Sequence, residues 1–143
     1  YVGSYIDYNS ELSTNALHKY LIEKNFNICL PKIDYQTNEI NFFKYSTGTK
    51  LIKNKYNILE PEITNEIIVP KLVLVPLLAF NESGFRLGYG GGFYDKYFSF
   101  QEEKEIIKVG LGFSFQNVYE IPIEGHDQKL DWILTESYLY KVI

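Results

Sequence analysis

Residues 84–95 combine the residue types that a phosphate site needs. Five of the ten glycines of the chain fall in this window, and glycine lets the backbone adopt positive φ and bring its N–H groups close to a ligand. Arg86 is the one arginine among fourteen lysines and arginines, so a planar and permanently charged fork is reserved for this window. Asp95 closes it, and a carboxylate beside a phosphate usually shares a cation with it, most often Mg²⁺. The window therefore predicts a phosphate site with magnesium.

A helix that opens at about Gly92 would add its dipole to this nest of backbone N–H groups. A plain tight turn remains the alternative interpretation of three consecutive glycines. Two familiar nucleotide motifs do not fit, because the dinucleotide fingerprint requires glycine where Phe93 stands and the chain has no G-K-[ST] sequence.

A second group of charged residues occupies positions 125–131, between two apolar segments. Asp127 could join Asp95 on a metal ion, since Mg²⁺ commonly takes one or two carboxylates together with phosphate oxygens and water. Turn and cap roles for Asp127 and Asp131 are the alternative interpretation.

The elements that must position these residues follow from hydrophobic patterning. Two apolar runs without alternation predict interior parallel strands, and the glycine window follows the carboxyl end of the first, where open α/β sheets bind ligands. Strands that alternate with helical segments predict a three-layer α/β/α domain with a mainly parallel central sheet. The predicted strands are 26–30, 39–45, 72–75, 106–113 and one or two within 130–142, and the predicted helices are 10–24 and 94–100.

The helix predicted over 10–24 has Ser10 as its N-cap and His18 on its solvated side. Glu11 would then lie in the first turn, where the helix dipole favours a carboxylate. Tyr56 lies in an irregular segment and is either a cover for the core or a wall of a pocket.

Composition limits the classes of function. The net charge of −4 and the scattered lysines argue against a general nucleic-acid binder. No apolar run approaches the ~20 residues of a membrane span and no signal-peptide pattern opens the chain, so we expect a cytoplasmic protein. Cys29 is expected to be a buried small side chain rather than a nucleophile. The chain has no methionine, and we expect a processed or truncated form.

The sequence resembles the 5-formyltetrahydrofolate cyclo-ligases, also called 5,10-methenyltetrahydrofolate synthetases. The most specific part of the resemblance is the block from Arg86 to Asp95, and weaker signatures extend it over nearly the whole chain. The other matching segments are 10–14, 30–31, 58–61, 75–80, Gly84, 110–113, 121–122, 126–127, 130–131 and 134–136.

The resemblance implies ATP-dependent closure of 5-formyltetrahydrofolate to 5,10-methenyltetrahydrofolate, with release of ADP and phosphate. The expected partners are two small molecules, a reduced folate and ATP, with Mg²⁺ as cofactor. The resemblance also implies a single cyclo-ligase-like α/β domain over residues 1–143, without the basic helical segment that begins other members.

The resemblance further implies roles for individual residues. Arg86 and Tyr94 are the implied catalytic residues, and Asp95 and Asp127 the implied metal ligands. The ATP phosphates are expected at Arg86, Leu87, Gly88, Tyr89, Gly90, Gly91, Gly92, Phe93 and Tyr94. The folate is expected at Glu11, Tyr56, Tyr89, Gly90, Gly91, Gly92 and Phe93.

One position of the block departs from the family pattern, because Phe93 replaces a common tyrosine and so removes a phenol hydroxyl. Two other functions stay open at this point. One is a folate or nucleotide binder without catalysis, and the other is a sugar-phosphate enzyme on a similar scaffold, since fold alone does not determine function.

Overall fold

A computed structural model describes residues 1–8, 11–62, 66–88, 91–125 and 127–143. Within these ranges the short apolar runs form one seven-stranded sheet. Its central pairings are parallel, and an antiparallel strand lies at each edge. From edge to edge the strands are β11 (Leu139–Lys141), β10 (Trp132–Leu134), β9 (Ile107–Leu111), β6 (Leu72–Pro76), β1 (Val2–Gly3), β2 (Ile28–Asp34) and β3 (Glu39–Tyr45).

The remaining described elements are two helices, two small hairpins and two 3-10 turns. Helix α1 spans Asn15–Glu23 and α2 spans Phe93–Phe100. One hairpin pairs β4 (Leu51–Lys53) with β5 (Leu59–Pro61), and the other pairs β7 (Ala79–Phe80) with β8 (Arg86–Leu87). The 3-10 turns are Glu102–Lys104 and Ser114–Gln116. In the described ranges neither α-helix has the length and apolar content that crossing a membrane requires.

Side chains of the central strand β6 point alternately to two apolar layers, as a strand covered on both faces requires. Val73 and Val75 belong to one cluster with Tyr97 and Phe98 of α2. Leu74 belongs to a second cluster, against which Leu17 of α1, among others, packs. The two helices therefore cover opposite faces of the sheet, which confirms the predicted three-layer α/β/α architecture.

The first helix differs from its prediction at its start and on its buried face. It begins at Asn15, so Glu11 lies before the helix rather than in its first turn, and Ser10 lies outside the described residues. The prediction of a solvated His18 is wrong. The imidazole is 4% exposed, and its Nε2 lies 2.5 Å from the hydroxyl of Ser4. The helical pattern of apolar residues places polar side chains on the solvent side. A polar side chain can nevertheless face the core when it has a buried hydrogen-bond partner, as His18 does.

The strand predicted to end before Pro31 continues through it to Asp34. Strand β1 pairs with only Ile28 and Cys29, so it has ended before Pro31 is reached. The ring nitrogen of Pro31 lies on the same edge as the N–H of Ile33, away from β3. A proline is tolerated where no neighbouring strand needs its missing N–H.

Candidate active site at the carboxyl ends of the strands

A cavity of about 350 Å³ lies where β1, β2 and β6 end. Polar and apolar residues from six stretches of the chain form its walls, so it is a concave site with a few convergent polar groups. The lining residues are Tyr5, Ile6, Glu11, Pro31, Ile33, Ile40, Asn54, Ile58, Leu59, Glu60, Pro76, Arg86, Leu87, Gly88, Gly92, Tyr94, Asp95, Pro122, Glu124 and Asp127.

Arg86 is held in the cavity wall by the short β7–β8 hairpin that follows β6. Its side chain is 8% exposed, and its Nη2 lies 3.8 Å from Oδ1 of Asp95. The guanidinium carbon lies 5.5 Å from the ring centroid of Tyr94, within reach of a cation–π contact. Burial lowers the pKa of Arg86, while Asp95, Tyr94 and Asp127 oppose that shift. A guanidinium stays charged even so, and the cavity therefore has a fixed positive charge.

Gly88 and Gly92, two described glycines of the window, have different roles in the backbone. Gly92 has a φ of +67° and occupies the N-cap of α2, as predicted for a helix that opens there. A Cβ on Gly88 would lie 2.7 Å from Nη1 of Arg86, so a side chain at this position would crowd the guanidinium. Tyr89 and Gly90, predicted to contact both ligands, lie outside the described residues.

Asp95 and Asp127 come from different segments, and both line the cavity. The backbone N–H of Gln128 donates to Oδ1 of Asp95 over 3.1 Å, which ties the segment that carries Asp127 to the start of α2. Oδ2 of Asp127 accepts from the backbone N–H of Glu124. Asp131 turns elsewhere, because its Oδ2 accepts from the backbone N–H of Lys108. Of the two acids in the 125–131 segment, only Asp127 lines the cavity.

These two carboxylates suit a magnesium ion in both number and chemistry. Among the described residues, no group of three or more His, Cys, Asp and Glu side chains is arranged to hold a metal on its own. Mg²⁺ rarely needs such a cage, since it is commonly held by one or two carboxylates with phosphate oxygens and water. Asp95 and Asp127 beside a cationic cavity wall therefore fit an ion that arrives with a phosphate.

Glu11 lines the cavity from the segment that links β1 to α1. Its Oε1 accepts a 2.6 Å hydrogen bond from the backbone N–H of Tyr8. Burial raises the pKa of Glu11 to about 7, with a smaller contribution from Asp7, although the Tyr8 hydrogen bond opposes the shift. The pKa of Tyr94 is raised mainly by burial and further by the negative charge of Glu11. The cavity thus contains a carboxyl that titrates near neutral pH.

Tyr56 and Phe93 lie beside the cavity rather than in its lining. Their ring centroids are 6.3 Å apart in an edge-to-face arrangement. This contact joins the β4–β5 hairpin to the first residue of α2, two segments that do line the cavity. Gly91 is also exposed and outside the lining. Of the predicted ligand-binding residues, the described ones that line the cavity are Glu11, Arg86, Leu87, Gly88, Gly92, Tyr94, Asp95 and Asp127.

The polar residues of the cavity wall that the sequence did not predict are Tyr5, Asn54, Glu60 and Glu124. Glu60 is 4% exposed and accepts hydrogen bonds from Ile33 and Asn54. The segment 58–61 matches a family signature, but no local sequence pattern indicates that the Glu60 carboxylate points into the protein. A buried carboxylate with several donors around it is recognised only when strands distant in sequence are brought together.

Comparison with known proteins agrees with the geometry. The model of the 5-formyltetrahydrofolate cyclo-ligase family matches residues 1–136. The 5-formyltetrahydrofolate cyclo-ligase of Haemophilus influenzae is 33% identical over 138 residues, which cover 93% of this chain and 74% of that protein. The Escherichia coli K12 cyclo-ligase is 28% identical over 145 residues, which cover 98% of this chain and 80% of that protein.

Two solved structures share the fold. The 5,10-methenyltetrahydrofolate synthetase of Aquifex aeolicus superposes with a TM-score of 0.78 at 28% identity, covering 99% of this chain and 71% of that one. The synthetase of Mycoplasma pneumoniae gives a TM-score of 0.64 at 25% identity, covering 92% and 71%. With the family model matched from the first strand to the end of the last parallel strand, the chain belongs to the 5-formyltetrahydrofolate cyclo-ligase family.

Proposed function

We propose that this chain closes 5-formyltetrahydrofolate to 5,10-methenyltetrahydrofolate at the expense of ATP, releasing ADP and phosphate. The observation that carries the proposal is the buried Arg86 in the wall of the cavity, 3.8 Å from Asp95. A fixed cation beside a carboxylate, at the edge of a glycine-rich segment, suits the transfer of a phosphoryl group, which depends on positioning and charge neutralisation.

The reaction proceeds in two bond exchanges. The formyl oxygen attacks the γ-phosphorus of ATP, and the bond to ADP breaks. N10 of the folate then attacks the activated formyl carbon and loses its proton, and the carbon–oxygen bond breaks as phosphate leaves. Each exchange moves negative charge onto phosphate oxygens, so a positive group already in place lowers the barrier without reorganisation.

Arg86 is the residue for that task, because its guanidinium can donate to two phosphate oxygens at once. Its position depends on Asp95 and the Tyr94 ring, which hold the guanidinium from two sides. Gly88 supports the arrangement by leaving space beside Nη1. The α2 N-terminus at Gly92 adds a favourable dipole for an anion.

Asp95 and Asp127 would hold the magnesium ion. The ion would neutralise phosphate charge when bound. The two carboxylates contribute by orientation: the Gln128 N–H fixes Asp95, and the Glu124 N–H fixes Asp127. We also propose that residues 1–143 form one cyclo-ligase-like α/β domain.

Glu11 is proposed to contact the folate. The apolar part of the cavity, formed by Ile33, Ile40, Ile58 and Leu59, suits a flat heterocycle. Tyr56 and Phe93 are proposed to contact the folate from the cavity rim, since an aromatic pair beside an apolar pocket offers a face for stacking.

The decisive experiment follows the ultraviolet absorbance of methenyltetrahydrofolate in a mixture of the protein, 5-formyltetrahydrofolate and Mg-ATP. Turnover that requires ATP and releases one phosphate per product is expected. A folate or nucleotide binder without catalysis would give binding heat in calorimetry but no product, and that result would refute the proposal.

A further inference from the structure

The β4–β5 hairpin contributes a wall of the cavity, but its own backbone hydrogen bonds are too few to keep it in place. It is a separate two-stranded sheet with three residues in each strand. An isolated two-stranded hairpin is marginally stable at best. Its position over the cavity must therefore come from contacts with the rest of the molecule.

Glu60 supplies one such contact, between the hairpin and the central sheet. Beyond Cys29, the edge of β2 that faces away from β3 has no β1 residue paired with it. The Glu60 carboxylate takes over there, with its Oε2 accepting the N–H of Ile33 over 3.2 Å. Lys32 supports the same junction, since its Nζ donates to the carbonyl of Pro61 and lies 3.5 Å from Oε1 of Glu60. A side chain thus replaces a missing strand partner.

Asn54 shapes the turn between the two strands. Its Oδ1 accepts from the backbone N–H groups of Tyr56 and Ile58, at 2.9 and 3.2 Å. Its Nδ2 donates to Oε2 of Glu60 at 3.1 Å. One amide therefore connects the turn to the carboxylate that docks the hairpin.

The turn carries Tyr56, whose ring contacts Phe93 at the start of α2 and lies 6.4 Å from the Tyr35 ring. The hydroxyl of Tyr35 accepts from the backbone N–H of Lys55 within the same turn. A change in the turn would move the Tyr56 ring away from Phe93, and so separate the hairpin from the segment that carries Tyr94 and Asp95.

We propose that Asn54 and Glu60 are positioning residues of the cyclo-ligase site. Glu60 docks the hairpin on the free edge of β2, Asn54 transmits that position to the 54–58 turn, and the turn presents Tyr56 against Phe93 so that the folate side of the cavity keeps its shape. This inference rests on the proposed function, because the ligand it concerns is the reduced folate.

A first test is independent of activity and measures hydrogen exchange in the 54–60 segment. Asn54→Ala removes the acceptor of two backbone N–H groups, so their exchange should accelerate by about five- to tenfold, the change expected for one lost hydrogen bond of ordinary strength. Thr49→Val is the matched control. It removes the acceptor of the Ser46 N–H in a neighbouring turn away from the cavity and should leave this segment unchanged. Unchanged exchange in Asn54→Ala overturns the shaping role.

The second test is a double-mutant cycle on KM for 5-formyltetrahydrofolate. Asn54→Ala should raise KM about five- to tenfold with a smaller effect on kcat, and Tyr56→Leu should do the same. If Asn54 acts through Tyr56, the double variant will resemble Tyr56→Leu alone. Effects that multiply would show independent roles and overturn the proposal. Absence of turnover in the unaltered protein would instead refute the proposed function, so the two failures are distinct.

A further variant guards against a loss of folding. Asn54→Asp keeps the oxygen acceptor of the turn and loses the amide donor to Glu60. We expect the amides of Tyr56 and Ile58 to stay protected while KM for the folate rises, because the link to the docking carboxylate is cut. A wild-type KM in this variant overturns the role of the Asn54–Glu60 contact.

Discussion

The guanidinium of Arg86 lies in a cavity wall from which most water is excluded, and its permanent charge interacts there with the groups around it. Asp95 is the nearest carboxylate, and the Tyr94 ring lies beside it. Electrostatic interactions strengthen in such a setting. In the proposed role of Arg86, the identity of the cation matters as much as its charge, because only arginine offers a planar fork to two phosphate oxygens.

Arg86→Lys tests this distinction. The lysine keeps the positive charge but offers a single ammonium in place of the fork, so kcat/KM for ATP should fall by roughly 10²-fold. Circular dichroism and the thermal midpoint monitor the fold. A variant with full activity would show that the fork is not used, and would contradict the proposed role of Arg86.

Glu11→Gln tests the titration of a cavity carboxyl. A carboxyl whose folded-state pKa is raised to about 7 from 4.5 favours folding in its protonated form. That contribution is complete below pH 4.5 and is lost as the pH rises through about 7. The free energy of unfolding in urea should therefore fall between pH 5 and pH 8 by more in the unaltered protein than in Glu11→Gln. Equal pH dependence in the two proteins would contradict the raised pKa.

At the scale of elements, two glycines with positive φ serve different ends. Gly84 (φ +89°) lies in the β7–β8 turn, where an added Cβ would be 2.8 Å from Cγ1 of Val142 and 2.9 Å from the carbonyl oxygen of Leu130. Gly92 (φ +67°) is the N-cap of α2, and an added Cβ would meet no atom within 4 Å. A side chain at position 84 is disfavoured by both the positive φ and the lack of space. A side chain at position 92 is disfavoured by the positive φ only.

Alanine at each position gives a matched pair. Gly84→Ala should lower the free energy of unfolding by roughly 2–4 kcal/mol, since left-handed strain adds to overpacking. Gly92→Ala should cost about 1 kcal/mol, the cost of the left-handed conformation alone. Urea denaturation of both variants measures the difference. Equal losses would mean that the C-terminal strand region yields to the added methyl group.

The contact between α2 and the segment that carries Asp127 is the element-scale requirement of the proposed metal site. Asp127→Asn replaces a carboxylate that lines the cavity, so the concentration of Mg²⁺ needed for half-maximal turnover should rise, by about tenfold if one charged ligand is lost. Asp131→Asn is the matched control in the same segment, because Asp131 instead accepts from the Lys108 N–H. The same magnesium dependence in both variants would exclude Asp127 as a ligand.

The molecule as a whole brings the cavity together from segments that span residues 5–127. A ligand that binds there contacts the folded chain and not the unfolded one, so it stabilises the whole domain by mass action. Parallel strands with their carboxyl ends at one edge make this convergence possible, as in open α/β sheets generally.

Ligand binding should therefore raise the thermal midpoint. With 5-formyltetrahydrofolate and Mg-ATP at about 100 times their dissociation constants, the stabilisation is about 2.7 kcal/mol per ligand, or roughly 5–10 °C. Differential scanning calorimetry measures the shift. Replacing Mg²⁺ by a chelator should reduce the ATP contribution and leave that of the folate in place. Absence of any shift would contradict binding in this cavity.

The sequence alone determined the features that depend on neighbours in the chain. Apolar runs identified β6 and β9 and alternation identified β3, because strand patterns are local properties. The glycine block with Arg86 and Asp95 predicts a phosphate site, and this stays a prediction. The family resemblance was also visible in the sequence, because its motifs occur in a fixed order along the chain.

The tertiary structure alone decided which distant residues meet. Asp127 reaches the cavity while Asp131 does not, His18 is buried against Ser4, and Glu60 turns inward to the edge of β2. Each outcome depends on where another strand ends or which face a neighbour covers. Those relations arise from the strand order and the length of β1, and no local pattern of residues encodes them.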